Sequence, residues 1–411
     1  MKNINFKKTL FGVLKLCVLG VLIGALGGLV GGCFSHLLYF VTNVREAASW
    51  LIFLLPLGGI VTVVLHRVSR MSDYGGTNEI IHRLEDKGPI RVIAAPLIFI
   101  STAITHLFGG SAGREGAAIQ LGGTIAYALS NILRLKEKEC TVFIMSGMSA
   151  VFAGVFGTPL TAAFFVLEFK LAANVVSFAI LPCSISAVVA EKVSSLMGVA
   201  EEVFHLSNIT TFTFDSIAKI IVLSIGISVF GKVMCFFFHK SELWVKKLIS
   251  NPLLRSVLGA AVIVALTVIV GDMRYNGSGM SIAIEAVKGN SYWFDFILKI
   301  IFTAITLAAG FKGGEIVPTF CIGATFGCVL GSVLELDVGF SAALGLVGLF
   351  CCTTNSLINA ILLGIEMFGF AALPYYLLIC LIIWPLSVKK GLFYNRFFTP
   401  KSLLKRKSVN K

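Results

Sequence analysis

Long uncharged runs alternate with short polar links along almost the whole chain. Val92 to Gly113, Thr141 to Leu167, Leu171 to Ala190, Ile316 to Leu334 and Met367 to Val388 carry no Asp, Glu, Lys or Arg. About 20 apolar residues suffice to cross the hydrocarbon of a bilayer as a helix, so each run predicts a membrane element. Several are longer than one crossing needs and are interrupted by Gly or Pro, as at Gly157 to Pro159 and at Pro318. That pattern predicts paired or broken helices. The N-terminal run from Phe11 to Val41, broken only by Lys15 and His36, exceeds the apolar core of a signal peptide and predicts a first membrane helix. Helices are also expected over Val92 to Leu107 and Ala117 to Leu133. RMSDYGGTNEIIHRLEDKGPIR is expected as a loop leading into short helices, and Glu201 to Ser216 as a loop between halves.

One polar interruption differs from the rest. Between two apolar runs, Gly109 to Gly123 reads GGSAGREGAAIQLGG and places Arg114 and Glu115 inside a glycine-rich break. An ionisable residue at membrane depth is costly and usually lines an ion or substrate path. Glycines lack a Cβ, so the backbone turns sharply and successive N–H groups converge into an anion-binding concavity.

The break has a counterpart. Tyr275 to Gly279, YNGSG, matches Tyr74 to Asn78, YGGTN, at an offset of 201 residues, and the same offset lays Gly113, Arg114, Glu115, Gly116 and Ala117 on Gly314, Glu315, Ile316, Val317 and Pro318. At an offset of 198, TPLTAA from Thr158 faces SLINAI from Ser356, and Glu168 faces Glu366. Three matches in the same order predict a structural duplication. In duplicated membrane folds, broken helices aim their N-terminal N–H groups at a site near the midplane, which predicts an anionic substrate. Converging carboxylates, which would suit a cation, are scarce in these segments.

Composition agrees with the pattern. The chain is 57% hydrophobic and 13% charged, far from a soluble balance. Its net charge of +13 is not a nucleic-acid signature, because the basic residues gather at ends and loops: Lys2, Lys7, Lys8, Lys389, Lys390, Arg396 and the tail KSLLKRK. Such a bias predicts cytoplasmic termini and an even number of crossings. The tail from Lys401 is expected to face lipid headgroups. None of the ten cysteines forms a CxxC pair, so packing, and neither a metal site nor disulfides, is expected of them. The six histidines are scattered, and His106 is read as a packing residue. No cofactor is implied, and no cluster suits a membrane-embedded enzyme.

These motifs resemble the CLC family of chloride channels and anion/proton antiporters from about Tyr74 onward. GREG at Gly113 to Gly116 is similar to the family's GREGP, with Ala117 at the proline; GGEIVP at Gly313 to Pro318 is similar to its GxFxP loop; GTNE at Gly76 to Glu79 is similar, less closely, to its GSGIP. The resemblance implies an all-α, inverted-repeat membrane domain with broken helices meeting near the midplane. It implies halves of about 70–200 and 217–390, a basic cytoplasmic tail over 396–411, no soluble regulatory domain, and a homodimer in the plasma membrane.

It also implies roles. Glu115 becomes the gating glutamate that competes with anions and carries protons; low dielectric and a neighbouring anion both favour a protonated carboxyl. A central anion would meet the Thr77 hydroxyl and the Glu315 and Ile316 amides, and an outer one the amides of Arg114, Glu115, Gly116 and Val317. The Glu315 side chain is read as structural. The family's late tyrosine falls on Phe393 or, one residue on, Tyr394. Glu168 is a candidate on the proton path, and the internal glutamate of typical antiporters is replaced by Phe169. THLFGGSAGREG, GGExxP and GIEMFG look like a bacterial fluoride/proton antiporter subgroup, which usually has methionine at Thr77 and threonine at Val317. The expectation is halide/proton antiport, chloride or fluoride, with a passive voltage- or pH-gated chloride channel as the alternative.

Overall fold

The computed structural model describes residues 6–72, 74–86, 88–168, 173–200, 202–204, 206, 208–388 and 391–392. Sixteen α-helices are present among them: α1 Phe6–Ala47, α2 Leu55–Val68, α3 Thr77–Asp86, α4 Ala94–Leu107, α5 Glu115–Ile132, α6 Glu137–Phe156, α7 Pro159–Leu167 and α8 Ala173–Leu196 come first. Then follow α9 Phe214–Leu248, α10 Pro252–Val270, α11 Met280–Val287, α12 Asp295–Ala308, α13 Ile316–Val333, α14 Val338–Thr354, α15 Leu357–Phe368 and α16 Leu373–Leu386. Seven helical segments of the described chain are long and apolar enough to cross a membrane. Others are too short: 14 residues, as in α4 and α12, rise only about 21 Å against a core of about 30 Å. These are the broken elements that the interrupted runs predicted.

The breaks have local causes. Gly157 ends α6 in the left-handed region at φ 68°, and Pro159 opens α7, where a missing N–H costs nothing. Pro318 breaks nothing: it is the third residue of α13, and the interruption falls before it. Likewise, α5 begins at Glu115, two residues earlier than the apolar pattern suggests, so the glutamate opens the helix.

The duplication is written into the backbone. α4 and α12 have equal lengths and start 201 residues apart, as do α5 and α13. α1 and α9 end 201 apart, so the correspondence extends upstream of the sequence match, and α7 and α15 start 198 apart. Left-handed residues repeat at the same offsets: Arg70 with Gly271, Gly76 with Gly277, Gly109 with Gly310, Arg134 with Glu335, and Gly157 with Asn355.

The chain forms two compact units that interleave in sequence. One comprises Met1–Leu37, Tyr74–Phe99 and Ala118–Glu202. Its centre is α6, buried from Cys140 to Phe156. Small residues let backbones meet there: a Cβ on Gly122 of α5 would lie 2.1 Å from the Gly147 carbonyl of α6, and one on Gly28 of α1 would lie 2.6 Å from the Ala190 carbonyl of α8. The other unit comprises Leu38–Asp73, Ile100–Ala117 and Val203–Lys411. Its centre is α14, buried from Phe340 to Thr354 and crossed closely by α13 at Gly323, Gly327 and Gly345. Gly323 and Gly345 stand at the repeat positions of Gly122 and Gly147. Val18, Leu22 and Leu29 on α1, and Val229, Val233 and Phe236 on α9, are exposed apolar side chains, as lipid-facing positions are.

Candidate anion site

The two glycine-rich breaks meet. Gly113 N–H donates to the Gly314 carbonyl at 2.7 Å, and Gly314 N–H donates back to Gly113 at 2.8 Å. This isolated antiparallel bridge joins the two residues related by the 201 offset. One residue past Arg114, α5 begins; one past Glu315, α13 begins. Two helix N-termini, each with N–H groups that have no partner inside their own helix and a positive dipole end, therefore start from one point within one compact unit.

Glu115 occupies that point. Its side chain is wholly buried, and its Oε1 accepts a short hydrogen bond from the Ile316 N–H across the bridge. The N–H groups of Glu115 itself, Val317 and Arg114 are turned to the same side chain, while Oε2 has no bonded partner. The carboxyl group thus sits where an anion would, in a cradle of backbone donors from both halves. Glycine is required on either side: a Cβ on Gly113 would lie 2.2 Å from Oε2, and one on Gly314 would lie 2.2 Å from Oε1. Ile316 and Val317 are buried, and Glu315, half-buried, stands before α13 without a side-chain cap.

Thr77 belongs to the other compact unit. It opens α3 just after Gly76, whose φ is 62°, and its Oγ1 accepts a hydrogen bond from Gln120 Nε2 on α5 at 3.3 Å. The helix bearing it is tied down at its far end by Arg83, which donates to Glu137 at 2.7 Å and lies over the Tyr127 ring. Glu168 closes α7 as its last, non-helical residue. Phe169, Phe393 and Tyr394 lie outside the described residues. No group of three or more His, Cys, Asp or Glu suited to a metal occurs among the described residues.

A model of the voltage-gated chloride channel family matches residues 57–383. The chain belongs to the CLC family. It is 32% identical over 392 residues to a chloride/fluoride channel protein of Pseudomonas syringae pv. tomato, covering 93% of this chain and 86% of that one. A crystal structure of a CLC-type fluoride/proton antiporter matches it with a TM-score of 0.85 at 34% identity, over 92% of this chain and 98% of that one. A slow cyanobacterial Cl⁻/H⁺ antiporter shares the fold, with a TM-score of 0.77 at 20% identity, over 96% and 98% of the two chains. The CLC resemblance read from GREG and GGEIVP therefore holds, as does the all-α inverted repeat, in a multi-pass membrane protein.

Sequence reasoning missed one charged residue of this CLC chain. Lys299 is wholly buried, and Ser111, four residues before Glu115, bonds to it at 2.9 Å. The signal was available: between Asp295 and Lys312 it is the sole charge in an apolar run.

Proposed function

We propose that this CLC protein exchanges a small halide, chloride or fluoride, for protons, with Glu115 as both gate and proton carrier. The observation that carries the reading is the Glu115 carboxylate held by amides of both α5 and α13. A group that sits where an anion would sit must leave when one arrives. Protonation releases it, because a neutral carboxyl attracts N–H donors less than a carboxylate does. A halide then takes the amides, and the proton moves with the displaced side chain. Opposite movements of halide and proton follow from that single competition.

Within this reading, the Thr77 hydroxyl is a halide donor, the Glu315 and Ile316 amides hold a central halide, and an outer halide meets the amides of Arg114, Glu115, Gly116 and Val317. Glu168 lies on the proton path, and Phe393 or Tyr394 stands at the late tyrosine position. The protein works as a homodimer in the plasma membrane with both termini cytoplasmic, as a transporter and not an enzyme. Similarity to a fluoride/proton antiporter and to a chloride/fluoride channel protein supports both halides as cargo.

Liposomes holding the purified protein test this. A fluoride or chloride gradient is expected to drive protons against their own gradient, and Glu115→Gln to abolish that movement. Halide flux without proton movement in the unaltered protein would replace antiport by a passive channel, and no flux of either ion would sink the reading.

A further inference from the structure

α12 grips the loop that leads into α5. Its residues 299, 303 and 306 lie on one helical face, and all three converge on Ser111. Lys299 Nζ donates to Ser111 Oγ at 2.9 Å, Thr303 Oγ1 shares that hydroxyl at 3.0 Å, and the Ser111 N–H donates to Thr306 Oγ1 at 3.0 Å. The ammonium has two further donors. They reach the Tyr275 carbonyl at 3.1 Å and the Gly277 carbonyl at 2.8 Å, so every N–H of Lys299 is used and both loops are held by one group. Gly279, at φ 85°, makes room: a Cβ there would lie 2.6 Å from Lys299 Cε. Backbone contacts close the seam, with Gly277 N–H donating to Gly110 O at 3.0 Å and Asn276 Nδ2 to Gly109 O at 2.7 Å.

No ion pair of Lys299 occurs among the described residues, and Asp295, one turn earlier on α12, is bound instead by Tyr275 Oη at 2.5 Å and Arg274 at 2.9 Å. A wholly buried ammonium without a carboxylate is costly to desolvate. Neutral side chains would fill the same space at less cost. The cation therefore stands for what its field and its three fixed bonds do to the chain beside it, and that chain runs from Ser111 through Gly113 into the first turn of α5. The repeat position in the other half is Ile98, so this device serves one half only.

We propose that Lys299 is a positioning residue for halide binding, fixing the Ser111-to-Gly113 backbone so that the α5 amides face the anion and adding its positive charge to that end of the helix. The inference rests on the anion-exchange reading of the same site.

Calorimetric titration of the purified full chain with sodium fluoride and sodium chloride, paired with the liposome coupling assay, tests it. Lys299→Met is expected to weaken halide binding at least about tenfold and to raise the halide moved per proton, with Lys299→Arg closer to the unaltered protein. Ser111→Ala and Thr306→Val, which cut the grip but leave the cation, are expected to weaken binding about threefold, and they carry the test if Lys299→Met does not fold. Variants that melt lower yet bind halide within about twofold of the unaltered protein mark a purely structural role and overturn the proposal. Halide binding unchanged by Lys299→Met overturns this proposal alone; an unaltered chain that binds no halide overturns the anion-exchange reading with it.

Discussion

If Glu115 competes with halide as proposed, Glu115→Ala is expected to tighten halide binding, because it removes the side chain that occupies the halide's place. The carboxylate accepts from the Ile316 N–H, and the Val317, Arg114 and Glu115 amides are turned to the same side chain. A hydrogen bond to a charged group contributes about 1.5–3 kcal/mol net. The Ile316 bond alone, at the high end, gives about 3 kcal/mol that an incoming halide must overcome in the unaltered protein. At about 1.4 kcal/mol per tenfold, the alanine variant would bind halide roughly 100-fold more tightly. Water in the vacated cradle takes back part of this, since it also bonds the amides, which sets a floor of about tenfold. Titration calorimetry of the detergent-solubilised protein with chloride and fluoride reads the difference directly. The measurement belongs at a pH where the carboxyl is ionised, since a protonated Glu115 no longer competes as an anion. Dissociation constants equal within about twofold, with both proteins folded, would refute the competition on which the exchange mechanism depends.

Two further expectations concern the scaffold. Gly345→Ala would set a Cβ 2.2 Å from the Gly323 carbonyl and 2.7 Å from Gly327 Cα, where only backbone could yield; a loss of about 2–3 kcal/mol is expected, read as a lower thermal unfolding midpoint. Tyr275→Phe removes the 2.5 Å hydrogen bond to the wholly buried Asp295, leaving a charged acceptor under-satisfied, and is expected to cost about 1–3 kcal/mol in the same assay.

Much of this was legible along the chain because it is local. Apolar runs of fixed length announce membrane helices, and glycine and proline at Gly157 and Pro159 announce the α6–α7 break through their own backbone preferences. The repeat was legible because both halves need the same special positions, and it was seen first in Tyr74 to Asn78 and Tyr275 to Gly279. The α1–α9 correspondence was not legible, since uninterrupted lipid-facing helices tolerate any apolar residue and leave no fixed letters to align. Pro318 misled for a related reason: a proline opens a helix as readily as it breaks one, and only the bridge before it shows which.

By itself, then, the sequence determined that the chain is an all-helical duplicated membrane protein and that Glu115 stands in a glycine-rich break paired with GGEIVP. The tertiary structure decided what that glutamate does. It opens α5, its carboxylate crosses to Ile316, and Gly113 and Gly314 must lack side chains to let it lie there. Only the fold could decide that Lys299 has no acid partner among the described residues and holds Ser111, Tyr275 and Gly277 together. Helical period and backbone preference act over a few residues, whereas these contacts join positions 22 to 201 residues apart, and the packing of whole helices determines which of them meet.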